Sequence, residues 1–277
     1  MPYTHGGVAH YYEFQATRPE RPVLVFVHGW GGSSRYWQST MTALSEEFSC
    51  LVFDSRGFGR TAADTGRDFT LETYAEDLDQ LLTELGIEKI YLNAHSLGAS
   101  TAVLFANRYP ARVEKLVLTC SGVFNYEPVS FKLFHIVGGW VVAFRPPWFT
   151  KIPLAHRAFE QRFVHRALPE ADSREFLADF VLADYGAALG TMLDAVSEKA
   201  ARIMPGAFSQ LTVPTLLIAG QYDKIIPVAM ARAVVPLNPQ VRLEVMAKCG
   251  HFPMLEQPQV YQQLLLNFLQ ATDPIIA

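Results

Sequence analysis

Residues 89–109 leave a folding chain little choice. An apolar, strand-like stretch from Lys89 to Asn93 runs into Ala94-His95-Ser96-Leu97-Gly98, and a helix-like stretch from Leu97 to about Tyr109 follows with no connector. A strand that turns directly into a helix holds the residue at the turn in a strained backbone conformation, with its side chain exposed at the tip. The residues two before and two after must be small, because the two backbones pass close together. Gly98 meets that demand fully, and Ala94 exceeds it by one methyl group. A helix start capped by Ser96 explains the same residues without any chemistry. The segment alone leaves a nucleophile and a plain cap both open.

Three other segments bear on the choice. Val23 to Val27 is a short β-branched and aromatic run, read as a buried strand, and it ends in His28-Gly29-Trp30-Gly31-Gly32. A glycine-rich loop at the end of a parallel strand turns a backbone N–H toward the neighbouring strand's tip. The N–H of Trp30 and that of Leu97, at its helix N-terminus, would then form a two-donor oxyanion hole. Pro214 to Gly220 is another buried strand, followed by Gln221-Tyr222-Asp223. Val241 to Met246 is a strand followed by Cys249-Gly250-His251-Phe252-Pro253. Ser96, Asp223 and His251 thus each sit just past the C-terminal end of a strand, where open parallel sheets carry their sites.

Strand and helix patterns alternate from Val23 onward, which predicts a parallel sheet with helices on both faces. Val8 to Phe14 and the residues after it read as an edge strand or hairpin, Ser34 to Phe48 as helix, Leu51 to Phe53 as a short strand and Glu114 to Thr119 as another. Thr70 caps a helix from Leu71 to Leu85 that Gly86 ends, with Leu78, Leu81, Leu82 and Leu85 on one face. Gln257 to Gln270 is a closing helix with Val260, Leu264, Leu265 and Phe268 facing inward. From Val123 to Ala207 the alternation stops and the pattern is helical. Phe124, Phe131, Phe134, Trp140, Phe144, Trp148, Phe149, Phe159, Phe163, Phe176 and Phe180 all fall there. They form either that segment's own core or an apolar pocket.

The His-Gly loop, the turn Asp54-Ser55-Arg56-Gly57-Phe58-Gly59, the serine turn, the Asp223 loop and the Gly-His pair near the C-terminus stand in one order over nearly the whole chain. In this the sequence resembles the α/β-hydrolase superfamily. The resemblance implies an α/β-hydrolase fold, a mostly parallel, doubly wound sheet with an inserted helical cap. Residues 1–122 and 208–277 would form the core domain and 123–207 the cap or lid. It further implies a Ser-His-Asp triad of Ser96, His251 and Asp223, with Trp30 and Leu97 as the oxyanion hole. A cap in this position lies over the active site. Trp30, Phe124, Trp140, Phe144, Trp148 and Phe252 are the residues expected to bind substrate.

Each role has rivals in the chain. His28 reads as a structural residue that hydrogen-bonds its own loop. His95 adjoins Ser96, but its side chain should point away from where a base must sit. Asp54 is the main alternative acid, with Arg56 two residues on as a natural partner, and a structural turn is the better account of it. The other position for an acid, after the Glu114 strand, holds Cys120, Ser121 and Gly122. Cys50, Cys120 and Cys249 read as buried free thiols of a reducing compartment. No His, Cys and Asp cluster has metal-ligand spacing, and the first glycine loop lacks both the P-loop lysine and the dinucleotide pattern. No metal and no cofactor is therefore expected.

Composition narrows the partners. Half the residues are hydrophobic and 18% are charged, enough for a large core, and the net charge of -4 gives no pull toward nucleic acid. Met1-Pro2-Tyr3-Thr4-His5 has no basic and apolar leader pattern, so a cytoplasmic protein is expected. From Tyr126 to Arg166, Lys132, Arg145, Lys151, Arg157, Arg162 and Arg166 outnumber Glu127 and Glu160, with bulky apolar residues between them. That composition fits a solvated cap face, peripheral contact with an anionic membrane, or pairing with an acidic substrate. The apolar run Ile136 to Phe144 is far short of the roughly 20 residues a span needs.

The first functional expectation is a serine hydrolase of the carboxylesterase or lipase kind, cleaving an ester of a lipophilic small molecule through an acyl-enzyme intermediate. A carbon–carbon bond hydrolase acting on a diketone uses the same triad. Cys249-Gly250-His251-Phe252 is similar to the histidine segment of those enzymes, and Arg157, Arg162 or Arg166 would have to grip the substrate carboxylate. A ligand receptor on the same fold, without turnover, is the alternative of another class.

Overall fold

The computed structural model describes residues 2–5, 8–16, 20–64 and 66–271. Met1, where the N-terminal pattern above begins, lies outside them. Eight strands form one sheet: β1 (Pro2–His5), β2 (Val8–Gln15), β3 (Val23–Val27), β4 (Ser49–Phe53), β5 (Ile90–His95), β6 (Val113–Thr119), β7 (Thr215–Gly220) and β8 (Val241–Met246), in the order 1-2-4-3-5-6-7-8. Val8 to Phe14 is a strand as expected, but its hairpin partner β1 precedes it rather than follows; β1 and β2 pair antiparallel, β2 joins β4 antiparallel, and every other pairing is parallel. β4 and β7 are buried at every residue, and β3 at all but its first. Strands covered on both faces lose alternation and read as unbroken apolar runs. The edge strand β8 keeps Arg242 exposed.

Helices α1 (Gln38–Leu44), α2 (Leu71–Glu84) and α3 (Leu97–Arg108) cross between these strands. Thr70 caps α2 by accepting from the Thr73 amide, and Gly86 ends it at φ +66°. Leu78, Leu81 and Leu82 go with Val103 and Phe105 of α3 into the core on one face of the sheet. Between β6 and β7 come α4 (Pro128–Ala143), α5 (Ala155–Glu160), α6 (Glu170–Leu182), α7 (Tyr185–Ala195) and α8 (Glu198–Ser209), and no strand among the described residues. α8 sends Met204, Ala207 and Phe208 into the sheet's core beside α3, so by packing it belongs to the helical layer under the sheet.

Helices α9 (Val228–Arg232), α10 (Pro253–Glu256) and α11 (Pro258–Gln270) follow β7 and β8. The inward face of α11 is Tyr261, Leu265, Phe268 and Leu269, with Leu264 packed beside them; Leu265 and Phe268 are as expected, whereas Val260 is half exposed and Tyr261 takes its place. The reason is polar. Tyr261 is fully buried because its hydroxyl reaches Asn93 Oδ1 at 2.9 Å and Thr119 Oγ1 at 2.8 Å, which a valine stripe would leave unpaired. Cys50, Cys120 and Cys249 are all buried and free.

Candidate active site

The tips of β5, β7 and β8 converge on one spot. Ser96 sits between β5 and α3 at φ 52° and ψ -117°, a conformation an L-residue holds only when its surroundings enforce it. A Cβ on Gly98 would meet the His28 carbonyl oxygen at 2.4 Å, so the helix passes too close to β3 for any side chain there. The extra methyl of Ala94 is accommodated in the core, wholly buried.

His251 Nε2 lies 3.1 Å from Ser96 Oγ, and His251 Nδ1 lies 2.7 Å from Asp223 Oδ2. The other carboxylate oxygen of Asp223 accepts from the amides of Ile225 at 2.7 Å and Ile226 at 2.9 Å. Burial pushes the Asp223 carboxyl up, but the charge and hydrogen bond of His251 and the two amides outweigh it and hold the group below its ordinary value. Histidine and aspartate meet because their loops touch: a Cβ on Gly220 would meet the Gly250 oxygen at 1.9 Å. The amides of Trp30 and Leu97 have no acceptor among the described residues. The Trp30 indole is engaged elsewhere, donating to the Ala188 carbonyl at 2.8 Å.

His28 behaves as read: Nδ1 lies 2.8 Å from the Gly29 carbonyl, and Nε2 accepts from the Ser55 amide at 2.9 Å. Asp54 is structural, but its partner is Arg60, 2.7 Å away, while Arg56 bonds Asp77 at 2.9 Å. Four more residues along the turn from Arg56 bring Arg60 back over the carboxylate. His95 corrects the sequence reading. Its ring packs 4.8 Å from that of His251, and its Nε2 lies 2.7 Å from the His251 carbonyl oxygen. Complete burial and the neighbouring imidazole lower it to about 3, so it is neutral and donates from Nε2. Cys120 lies there too: its sulfur and ring nitrogens of His95 and His251 fall within 4.8 Å of one another. That grouping is invisible in chain spacing. Burial, then the charge of Asp223, raises the Cys120 thiol well above its ordinary value, and both nitrogens of His251 already face Ser96 and Asp223.

A cavity of about 70 Å³ opens on Ser96, lined by Trp30, Gly31, His95, Phe159, Phe163, Phe176, Phe180, Ile225, His251 and Phe252. Of the residues expected to bind substrate, Trp30 and Phe252 are there. Trp140 and Phe144 line instead an outer apolar groove of about 760 Å³, which shares Phe159 and Phe180 with the inner cavity. Phe124 packs on Phe131 and Trp148 on Phe149, and neither lines the cavity or the groove. The inner wall comes from Phe159 of α5, Phe163 after it, and Phe176 and Phe180 of α6, whereas α4 packs on α7. Arg157 bonds Glu160, Arg162 bonds the Lys224 carbonyl, and none of Arg157, Arg162 and Arg166 lines the cavity.

Sequence reasoning missed Glu256. Its carboxylate accepts from the amides of Gly250, Phe252, His165 and Arg166 at 2.8–3.2 Å, and the His251 amide donates to the Phe163 carbonyl at 2.8 Å. The His251 loop is thereby tied to the insertion. No side-chain pattern signals such a role, because all its donors are backbone.

A doubly wound sheet with a serine elbow, a histidine loop and an acid loop at one edge defines the α/β-hydrolase class of protein. The chain belongs to that family, and is a hydrolase: the model for the alpha/beta hydrolase fold matches residues 22–258. It is 28% identical over 254 residues to a protein of Pseudomonas savastanoi pv. phaseolicola named "Putative carbamate hydrolase RutD", covering 91% of this chain and 95% of that one. Among solved structures, the esterase EaEST from Exiguobacterium antarcticum superposes with a TM-score of 0.82 at 20% identity, covering 96% of this chain and 97% of the other. A thermophilic esterase from Thermogutta terrifontis does so with a TM-score of 0.79 at 24% identity, covering 97% and 96%.

Proposed function

We propose that the protein is a serine hydrolase that cleaves carboxylic esters with a lipophilic acyl group through an acyl-enzyme intermediate. His251 Nε2 takes the Ser96 proton as Oγ bonds to the carbonyl carbon. The carbonyl π pair moves onto oxygen, where the Trp30 and Leu97 amides receive it. Collapse of that intermediate breaks the bond to the alkoxy group, which leaves with the proton from His251. Water then attacks the acyl-serine by the same route, giving the acid and restoring Ser96. Asp223 holds the imidazole in the tautomer with Nδ1 protonated and stabilises the imidazolium.

The observation that carries this reading is the hydrogen-bonded line from Ser96 through His251 to Asp223, at 3.1 and 2.7 Å, set against a wall of phenylalanines. The diketone reading has no such support, since no arginine among the described residues lines the cavity to hold a carboxylate. The test is steady-state hydrolysis of p-nitrophenyl esters from acetate to palmitate, with an aryl carbamate and a diketone in parallel and Ser96→Ala as control. Multiple turnovers of the esters that vanish in the variant are expected. A single equivalent released, or a carbamate or diketone preferred over every ester, would overturn the ester reading.

A further inference from the structure

Helix α4 is apolar nearly all round yet lies on the surface. One side packs on α7: His135 bonds the Val196 carbonyl, Val142 is buried, and a Cβ on Gly138 would meet Met192 Sδ at 2.5 Å. These three stand at i, i+3 and i+7. The other side is bare, with Val129 74%, Leu133 60% and Trp140 71% exposed. The 3-10 turn Pro147–Lys151 extends the patch with Trp148, and Leu154 follows. A helix of this kind is ordinarily enclosed, and a contiguous apolar patch marks an interaction surface.

Charge selects the partner. No acidic residue occurs from Pro128 to Phe159 in a chain whose net charge is -4. Arg145 and Arg157 of this stretch are spent inside the fold, on the carbonyls of Val142 and Phe180 and on Glu160. Lys132 and Lys151 are exposed and make no ion pair with a described residue. Two copies of this face would bring like charges together. An anionic lipid surface accepts all three features: apolar side chains, tryptophan at the boundary, and lysines reaching outward. The outer groove also opens on this face, through Trp140, Phe144 and Leu154, and reaches Phe159 and Phe180 at the inner cavity.

We propose that α4 and the turn after it dock on an anionic bilayer surface, with the groove mouth at the contact. Passage of acyl chains from there to Ser96 rests on the ester-hydrolase reading; the docking does not. The contact is peripheral, because no single described helix is long and apolar enough to cross a membrane.

The experiment is flotation of the Ser96→Ala protein, which cannot consume lipid, with vesicles of phosphatidylcholine alone or mixed with phosphatidylglycerol. Brominated acyl chains report contact with Trp140 and Trp148 by quenching. Binding to the mixed vesicles with quenching, weakened by salt, is expected. Lys132→Gln and Lys151→Gln should each lower the partition coefficient about fivefold. The pair Val129→Ser and Leu133→Ser should lower it at least about tenfold, with the unfolding temperature and turnover of a water-soluble short ester unchanged when built on the wild type. No flotation with the mixed vesicles, binding indifferent to these substitutions, or a dimer that buries this face would overturn the proposal. Flotation by a protein that hydrolyses no ester would instead remove the ester reading and leave the docking standing.

Discussion

Phe159 stands where the inner cavity meets the outer groove, so removing its ring tests whether the two are one path. The ring stacks on Phe180 at 4.8 Å and 29° and packs on Phe176 at 4.8 Å and Phe163 at 5.3 Å. The ring thus separates the inner cavity at Ser96 from the outer groove. Phe159→Ala opens the wall into the groove of about 760 Å³. Each methylene moved from water to an apolar surface is worth about 0.8 kcal/mol, or roughly fourfold in kcat/KM. The groove is open on one side, so roughly half of that is realised for each added methylene. The ratio of kcat/KM for p-nitrophenyl decanoate over butyrate should then rise by about 10- to 100-fold. The half-buried ring contributes about 2 kcal/mol to stability, so both substrates are assayed well below the lowered unfolding temperature. A ratio within about twofold of wild type, in a variant with that lowered unfolding temperature, would refute the path and leave the groove unconnected to chemistry.

Further expectations concern the supports of the site. Asp223→Asn should lower kcat about 10³- to 10⁴-fold with KM little changed, because the imidazole loses its tautomer; a loss under about tenfold in a pre-steady-state assay would argue that another group orients His251. Since the Asp223 carboxyl is held below its ordinary 3.8, its contribution to stability is present above that value and disappears as pH falls through the depressed one. Acid unfolding below pH about 4 should accordingly be shallower in Asp223→Asn. Gly98→Ala forces a methyl group against the His28 carbonyl, where the Cβ would stand at 2.4 Å, and ester turnover should fall by about 10²; unchanged turnover would mean that the elbow can open without cost. Asp179 ties α6 to the core through Ser33 and Arg35, and burial raises it to about 6 although both partners favour its charged form. Its contribution is full below 3.8 and lost as pH rises through about 6, so thermal scans from pH about 4 to 7 should show a decline of at most about 3 kcal/mol that Asp179→Asn lacks.

Much of this site could be read from the chain because it depends on strand ends. Ser96, Asp223 and His251 each follow a buried apolar run, and a parallel sheet brings such ends to one edge whatever lies between. The pocket wall did not follow in the same way. Eleven phenylalanines and tryptophans fall from Phe124 to Phe180, and which of them meet Ser96 depends on α5 and α6, rather than α4, facing it. Hydrophobicity cannot report that orientation. It pointed to Trp140 and Phe144, which line the outer groove, while Phe163 and Phe176 hold the inner wall. Hydrophobicity favours Val260 over Tyr261, because a tyrosine counts as buried only once partners for its hydroxyl are known. Proximity in sequence points to Arg56 as the partner of Asp54, but the path of the turn gives that place to Arg60 and sends Arg56 to Asp77.

The carboxylate of Glu256 fastens residues 165–166 to the His251 loop, and Gly250 is packed so tightly that a Cβ would meet the His165 nitrogen and the Phe163 oxygen at 2.7 Å. The entrance is therefore tied down at the His251 loop, as α6 is tied to the core through Asp179. The edge fixed at that loop runs through Phe163 and His165, and lifting it would drag His251 out of line with Ser96. Helix α4, which packs on α7, carries neither of these ties. Admission of substrate and alignment of the base then run on separate mechanical parts, so a change that speeds entry at α4 need not disturb the chemistry at His251.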